Sequence, residues 1–548
     1  MRFPRHRAWA WVAAVFAVAV SLAVAALFPR PGTADPLVPV AAEPGVEDDG
    51  ADCAVPDTGP LTSYSKLPDP FRKLDGTRIS TRSDWRCRRA EIRELAERHV
   101  YGQKPARPES VTGTVSRTGI TVRVTHQGRS ASFSASVDLP GGTGPFPAVV
   151  VLGGLGADTA TIKNSGAAVI SLDPYAVGKE GTPRSDKQGA FYGLYGSSSS
   201  TGLLMAWSWG VSRVIDVIEQ SDGSVLRADA TGVTGCSRFG KGAFVAGAFD
   251  QRIALTMPIE SGSAGTGVFR GIPGESGAQP LSSAYSEQPW LGDAFGSFTG
   301  SPATLPVDTH EIVGLVAPRG LLVMENPHVD WLGARSGSVA ALGGAEVYKA
   351  LGAGGNISYW SDVQDGTHCA ARPEWRTPLQ QNIQKFLLKS GSSSGVFRIS
   401  PAKSGDLSAW RDWQTPDLAD GGSSGGGTGG DTGGGDGGDT GGGPGTPGDT
   451  CTATYRTVNS WSGGFQGEVT VRNDGSGALD GWTVGMTLAS GQSLSSLWNG
   501  RNTGTGGAVT VRNTEWNGAV APGATTTFGF TATGSSSTAP HTLTCTGS

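Results

Sequence analysis

Residues 235–241 read GCSRFGK. Ser237 stands between glycines, after the short, partly β-branched run TGVT (231–234) and before GAFVAGAFD (242–250), rich in small and apolar residues. Strand, tight turn, helix is the order of a nucleophile elbow, which exposes a serine hydroxyl at the edge of a sheet. The usual spacing, G-x-S-x-G, puts glycine two residues after the serine. Here Phe239 takes that place and Gly240 comes one residue later. Alone, the stretch reads equally well as an ordinary strand-to-helix turn.

The flanking sequence alternates two kinds of signal. ITVRVTHQ (120–127) and ASFSASVDL (131–139) alternate apolar and polar residues, as an antiparallel pair does. PAVVVLGG (147–154) is continuously apolar and ends in glycine, the pattern of a strand buried on both faces, and GAAVISLD (166–173) is similar. Helical spacing marks SDWRCRRAEIRELAERHVYG (83–102) at Ile92, Leu95 and Ala96, and LLMAWSWGVSRVIDVIEQ (203–220) reads as a second helix. ATGVTGCS (230–237), IALTMPIE (253–260) and RGLLVMENP (319–327) read as further strands, and TPLQQNIQKFLLK (377–389) as a closing helix. Such alternation predicts an α/β fold, a doubly wound sheet. Its chemistry is expected at the carboxyl ends of the strands, where Ser237, Glu260 and Glu325 fall.

At 548 residues the chain is long for one domain. A net charge of −5 argues against nucleic acid as a main partner. The basic start MRFPRHR precedes an uncharged run, 8–28, the pattern of a secretory signal with cleavage candidates after Ala25 or Ala34. That run is also long enough to anchor the chain uncleaved. The expected organisation is a signal peptide (1–34), a loose Pro- and acid-rich N-terminal segment (35–60) and a catalytic domain (61–419). A linker (420–450) and a β-sandwich (451–548) follow. Of the 85 glycines, 17 fall in 421–448, which gives the linker the composition of a flexible tether. Six cysteines, none in a C-x-x-C pair, favour disulfides over a metal site in an exported chain.

A serine hydroxyl needs a positioned base, itself oriented by an acid. In α/β hydrolases the histidine comes last in the chain, which leaves His310, His328 and His368. His368 lies in the loop SDVQDGTHCAARPEW, before the closing helix, the usual place for the base. Cys236 precedes Ser237 and Cys369 follows His368, so a bridge between them would hold nucleophile and base side by side.

These residues resemble the glucuronoyl esterases, carbohydrate esterase family 15, whose nucleophile motif G-C-S-R-x-G-K is matched by Gly235, Cys236, Ser237, Arg238, Gly240 and Lys241. The resemblance runs over most of 61–400, through PIESGSAG, LPVDTHE, VAPRGLLVMEN, DWLG and HC. It implies Ser237 as nucleophile, His368 as base, Glu260 as the acid and Arg238 as the oxyanion residue. Lys241, Gln279, Glu287 and Trp331 would hold the glucuronate ring. It implies disulfides Cys236–Cys369 and Cys53–Cys87. Glu325 and Asp330 stay open as alternative acids, since most α/β hydrolases carry the acid after the later strand.

In residues 451–548, FQGEVTVRN (465–473), WTVGMTL (482–488), AVTVRN (508–513) and TTTFGFTA (525–532) alternate as strands of a sandwich. Four arginines balance four acids, so an electrostatic partner is not expected. Trp482 reads as core. Trp461, Trp498 and Trp516 stand beside Asn, Ser and Gly in turn-like contexts and suggest a binding face. This segment resembles a family 2 carbohydrate-binding module, with a terminal disulfide Cys451–Cys545 and three surface tryptophans, the pattern associated with cellulose.

The implied protein is a secreted, extracellular serine esterase that cleaves esters between 4-O-methyl-glucuronic acid of glucuronoxylan and lignin alcohols. It is expected to be a monomer, held to cellulose, with no metal or organic cofactor and no membrane contact after signal cleavage. The alternatives are an acetyl or feruloyl esterase of plant cell walls and a non-catalytic cellulose-binding protein.

Overall fold

The computed structural model describes residues 46–391, 394–419, 451–461, 464–498, 500–513, 518, 520–534 and 540–547. The apolar run 8–28, residues 35–45, the glycine-rich run 420–450 and Trp516 lie outside the described residues. No helix among the described residues is long and apolar enough to cross a membrane. The chain forms two compact units, Met1–Gly425 and Gly426–Ser548.

The first unit is built on a ten-stranded mixed sheet. Three strands, β1 (Ser110–Val115), β2 (Gly119–His126) and β3 (Arg129–Asp138), form an antiparallel meander at one edge. The continuously apolar strand β4 (Phe146–Leu152) is buried at every position, as a central parallel strand must be. β5 (Ala168–Leu172) returns antiparallel to β3 and parallel to β4. The chain then crosses the sheet, so that β6 (Leu226–Cys236) pairs with the other side of β4. β7 (Ile253–Ile259), β8 (Gly320–Met324), β9 (Ile357–Trp360) and β10 (Phe397–Arg398) continue outward in parallel. The strand order reverses between β4 and β6, which opens a crevice beyond their carboxyl ends. This is the α/β-hydrolase arrangement. The helix Leu203–Gln220 is buried on nearly every face, under the crossover.

The second unit is all β, with two four-stranded antiparallel sheets. One joins β11 (Cys451–Trp461), β12 (Gly464–Asn473), β14 (Ser493–Trp498) and β17 (Thr525–Thr533), the other β13 (Trp482–Thr487), β15 (Arg501–Thr503), β16 (Ala508–Arg512) and β18 (His541–Gly547). Trp482 is buried between them, stacked on Phe528 at 5.6 Å. Cys451 and Cys545 are bridged at the edge of this core.

One expectation is corrected. Within the segment expected to be loose over 35–60, residues 47–53 are held to the first unit by ion pairs and a disulfide, while most of 54–60 is exposed. Glu47 is 4% exposed; it meets Lys104 Nζ at 2.8 Å and Arg252 Nη2 at 3.3 Å, and it accepts from Arg213. Arg86 reaches Asp49 at 2.8 Å, and the Cys53–Cys87 disulfide ties the segment to the helix Asp84–Ala96. An acid-rich composition reads as solvated; here the acids answer buried cations from distant elements. Burial opposes the charge of Glu47, but Lys104, Arg213 and Arg252 outweigh it and hold the carboxyl well below the usual range. A carboxyl so depressed contributes stability in full above its ordinary value near 4.5, and loses it only as pH falls far below that. Glu47→Gln is therefore expected to lower the unfolding free energy of this unit at neutral pH by about 3 kcal/mol, measured in urea. A loss under about 1 kcal/mol would mean that Asp216 and Asp250 already balance the cluster.

Candidate active site

β6 ends at Cys236 and a helix starts at Arg238, which leaves Ser237 alone on the turn at φ 58°, ψ −125°. Its N–H donates to the carbonyl of Ile259, on β7, at 2.9 Å. The glycine spacing follows from this crossing. A Cβ on Gly235 would sit 2.6 Å from the Phe239 carbonyl oxygen, and one on Gly240 2.5 Å from that of Ile259. The helix thus meets the neighbouring strand three residues after the serine, not two, and glycine is needed there.

Glu260 follows β7 and Cys369 follows His368, and both have positive φ, 43° and 58°. Three non-glycine residues in a sparsely allowed region, each at a cost of about 1–3 kcal/mol, meet at one place. The fully buried Glu260 carboxylate accepts from His368 Nδ1 at 2.6 Å and from the Cys369 N–H at 2.8 Å through one oxygen. That bond places a proton on Nδ1 and leaves Nε2 as the acceptor facing the cavity. The Cys236–Cys369 disulfide joins the two loops directly. Gly156 at φ 73° lets the loop after β4 lie against it, since a Cβ there would be 2.7 Å from Cys236 Cβ.

The other candidates stand elsewhere. His310 is buried, stacked on Trp413 with Nε2 at 2.9 Å from the Pro68 carbonyl, and burial pulls it down to about 4. His328 Nε2 meets the Val363 carbonyl at 2.8 Å. Asp330 is exposed and paired with Lys403 at 2.9 Å. Glu325 is buried, accepts from Thr266 Oγ1 at 3.1 Å, and is pushed up to about 8 by burial and then by the charge of Glu260.

Ser237, Arg238, Lys241, Gln279, Glu287, Trp331 and His368 line one cavity of about 500 Å³, with Leu155, Tyr175 and Trp290. Glu260 lies behind His368, outside the lining. Arg238 does not hang free: Nη1 donates to Glu180 at 2.9 Å, Nη2 lies 3.9 Å from Glu287, and the guanidinium sits over Trp290. Burial disfavours its charge, but Glu180 outweighs burial. Glu180 also accepts from Tyr175 at 2.7 Å and from Trp290 Nε1 at 2.5 Å, so it sets the position of the whole wall. Lys241 is buried, donates to the Ser261 carbonyl, and is brought down to about 8 by burial. Gln279 donates to Glu287 at 2.7 Å, and its N–H to the Trp331 carbonyl at 3.0 Å. Trp331 is 53% exposed, with its indole edge-on to His368. Sequence reading missed Glu180 and Trp290, which lie in the connections from β5 to β6 and from β7 to β8.

In the second unit Trp461 and Trp498 are the last residues of strands β11 and β14 rather than turn residues. The binding face expected of their side chains lies outside the described residues.

Residues 122–352 match the family described as "Glucuronyl esterase, fungi", and residues 451–548 the family described as "Cellulose binding domain". The chain is 39% identical over 373 residues to the 4-O-methyl-glucuronoyl methylesterase of Neurospora crassa, covering 67% of this chain and 93% of that one. It is similar to the solved glucuronoyl esterase catalytic domain of Hypocrea jecorina, with TM-score 0.63, 36% identity and coverage of 67% and 100%. A glucuronoyl esterase variant of Sporotrichum thermophile, solved in complex with methyl 4-O-methyl-β-D-glucopyranuronate, has TM-score 0.62, 37% identity and coverage of 67% and 100%.

The Cys236–Cys369 bridge closes a loop of sequence separation 133. Replacing both cysteines by alanine is expected to cost about 4 kcal/mol of stability, and to lower turnover by more than the unfolded fraction explains. Equal losses in turnover and in folded protein, compared by activity and circular dichroism, would show that the bridge does not position the site.

Proposed function

The chain belongs to the glucuronoyl esterase family, and from that membership we propose that it hydrolyses esters of 4-O-methyl-glucuronic acid in glucuronoxylan with lignin alcohols. One observation carries the reading: the acyl-transfer groups Ser237 and His368 face the same cavity as four side chains suited to a sugar acid. Ser237 Oγ attacks the ester carbonyl while His368 Nε2 takes its proton, and Glu260 stabilises the imidazolium through Nδ1. Arg238, fixed by Glu180 and always charged, meets the developing oxyanion together with backbone N–H groups. One such donor is worth about 3 kcal/mol of barrier. The protonated His368 then passes its proton to the departing alcohol oxygen, and water repeats the sequence on the acyl-enzyme. Lys241, Gln279 and Glu287 supply hydrogen bonds for sugar hydroxyls, and Trp331 an exposed flat face for the ring.

Ser237→Ala is expected to lower release of benzyl alcohol from benzyl glucuronate by a factor on the order of 10⁶. Wild type should turn over that ester well ahead of an acetyl ester; the reverse preference would favour an acetyl esterase. Glu260→Ala should cost on the order of a hundredfold or more, and Glu325→Gln or Asp330→Asn less than about tenfold. Comparable losses at Glu260 and a later acid would mean a shared role.

The basic and apolar start supports export to the extracellular space, and the 451–548 module supports attachment to cellulose. A composition of Gly, Ser, Thr and Asp over 420–450 supports domains that fold separately, with the catalytic domain over 61–419 extended to include the anchored residues 47–53. Truncation near residue 420 should leave turnover of a soluble ester unchanged and remove adsorption to cellulose. Replacing Trp461, Trp498 and Trp516 by alanine should do the same, and wild-type adsorption should persist in high salt. Release by salt, or binding by the triple variant, would exclude flat aromatic contact as the basis.

A further inference from the structure

Two carboxylates end adjacent parallel strands at the site. Ile259 pairs with Met324 in register, so Glu260 and Glu325 come next to each other, and both are buried to 1% exposure or less. Two like charges without water cannot both ionise at low cost. Their surroundings differ. Glu325 accepts from Thr266 Oγ1, and its Oε1 has no hydrogen-bond partner among the described residues. Glu260 has His368 and Cys369 on one oxygen, while the other faces Asn326 Nδ2 at 3.4 Å and Arg372 Nη2 at 3.6 Å.

Arg372 is itself 3% exposed. Its guanidinium donates to the carbonyl of Thr367, next to His368, pairs with Asp365 at 3.0 Å and lies over Trp375. One buried cation therefore touches both the carboxylate that orients the histidine and the loop that carries it. We propose that Arg372 is a positioning residue, which keeps the negative charge of the carboxylate pair on Glu260 rather than on Glu325 and ties the 365–368 loop to it. This rests on the esterase reading above.

The other charged groups around the pair fit that assignment. Lys241, on the helix after Ser237, acts on Glu325, and burial brings it down to about 8. Asp365 is exposed to water, and Asp158, beside Arg372 in a small cavity, is engaged by Arg376 at 3.6 Å. Arg372 is then the buried cation, among the described residues, within ion-pair reach of Glu260 besides His368. Removing it favours protonation of both members of the Glu260–His368 pair, so activity is lost from the acid side.

The test is the pH dependence of Ser237 phosphonylation by an alkyl fluorophosphonate, which needs no assumption about the natural ester. In Arg372→Met the rate should fall about tenfold or more near neutral pH, and its acidic limb should move up by about one pH unit. Arg372→Lys, which keeps the charge, should hold the limb at the wild-type position and recover most of the rate. An unmoved limb in Arg372→Met, or the same displacement in Arg372→Lys, overturns the proposal. If Arg372→Met does not fold, the Arg372→Lys limb decides: unmoved supports the role, displaced overturns it. Wild type that reacts with the phosphonate yet leaves benzyl glucuronate intact would refute the substrate reading and leave the role of Arg372 standing.

Discussion

A carboxylate removed from water needs donors on every side, and Glu260 is such a carboxylate. Its backbone is fixed by a 2.7 Å bond from its N–H to the Met324 carbonyl, in a conformation few residues adopt. From there it takes the His368 ring and the Cys369 N–H on one oxygen. The direction of the imidazole, and hence the position of Nε2, follows from this. So does the course of the 365–369 loop, because Cys369 must also reach Cys236. The strain at Ser237, Glu260 and Cys369 is sustained by the rest of the fold, since each is locked by a strand, a buried ion or a covalent bond.

The wall that faces the substrate is organised in the same way around Glu180. Three side chains from three separate segments, Tyr175, Arg238 and Trp290, converge on its two oxygens. An arginine so held presents its remaining N–H groups without having to be ordered at the moment of reaction. The buried Lys241 is held in the same manner by a carbonyl. The cavity is thus set before substrate arrives.

Much of this was legible in the sequence, and the reasons are physical. Central strands announce themselves because both faces are buried: PAVVVLGG could hardly be read otherwise. Ser237 and His368 were marked by cysteines at their sides, and a covalent pair leaves a trace in one dimension that a hydrogen-bonded pair does not. Glu180, Asn326 and Arg372 left none, since their partners lie up to 112 residues away along the chain. The helix Ala334–Ala350 was also missed. Its three glycines lower helix propensity, yet they are there for contact, as a Cβ on Gly344 would fall 2.1 Å from Val313 Cγ1. The acids of 46–52 looked solvated because the cations they answer are far off in sequence.

The segments that build the cavity are spread over about half of the first unit, from Leu155 to His368. Contacts of that sequence separation are the slow ones to form, because the entropy of loop closure is spent before they yield any return. A partly assembled sheet therefore holds no complete cavity: without β8 the turn at Glu260 has nothing to close on, and without the 365–369 loop the cavity lacks His368. The complete cavity is a late product of folding, assembled only when segments far apart along the chain have met.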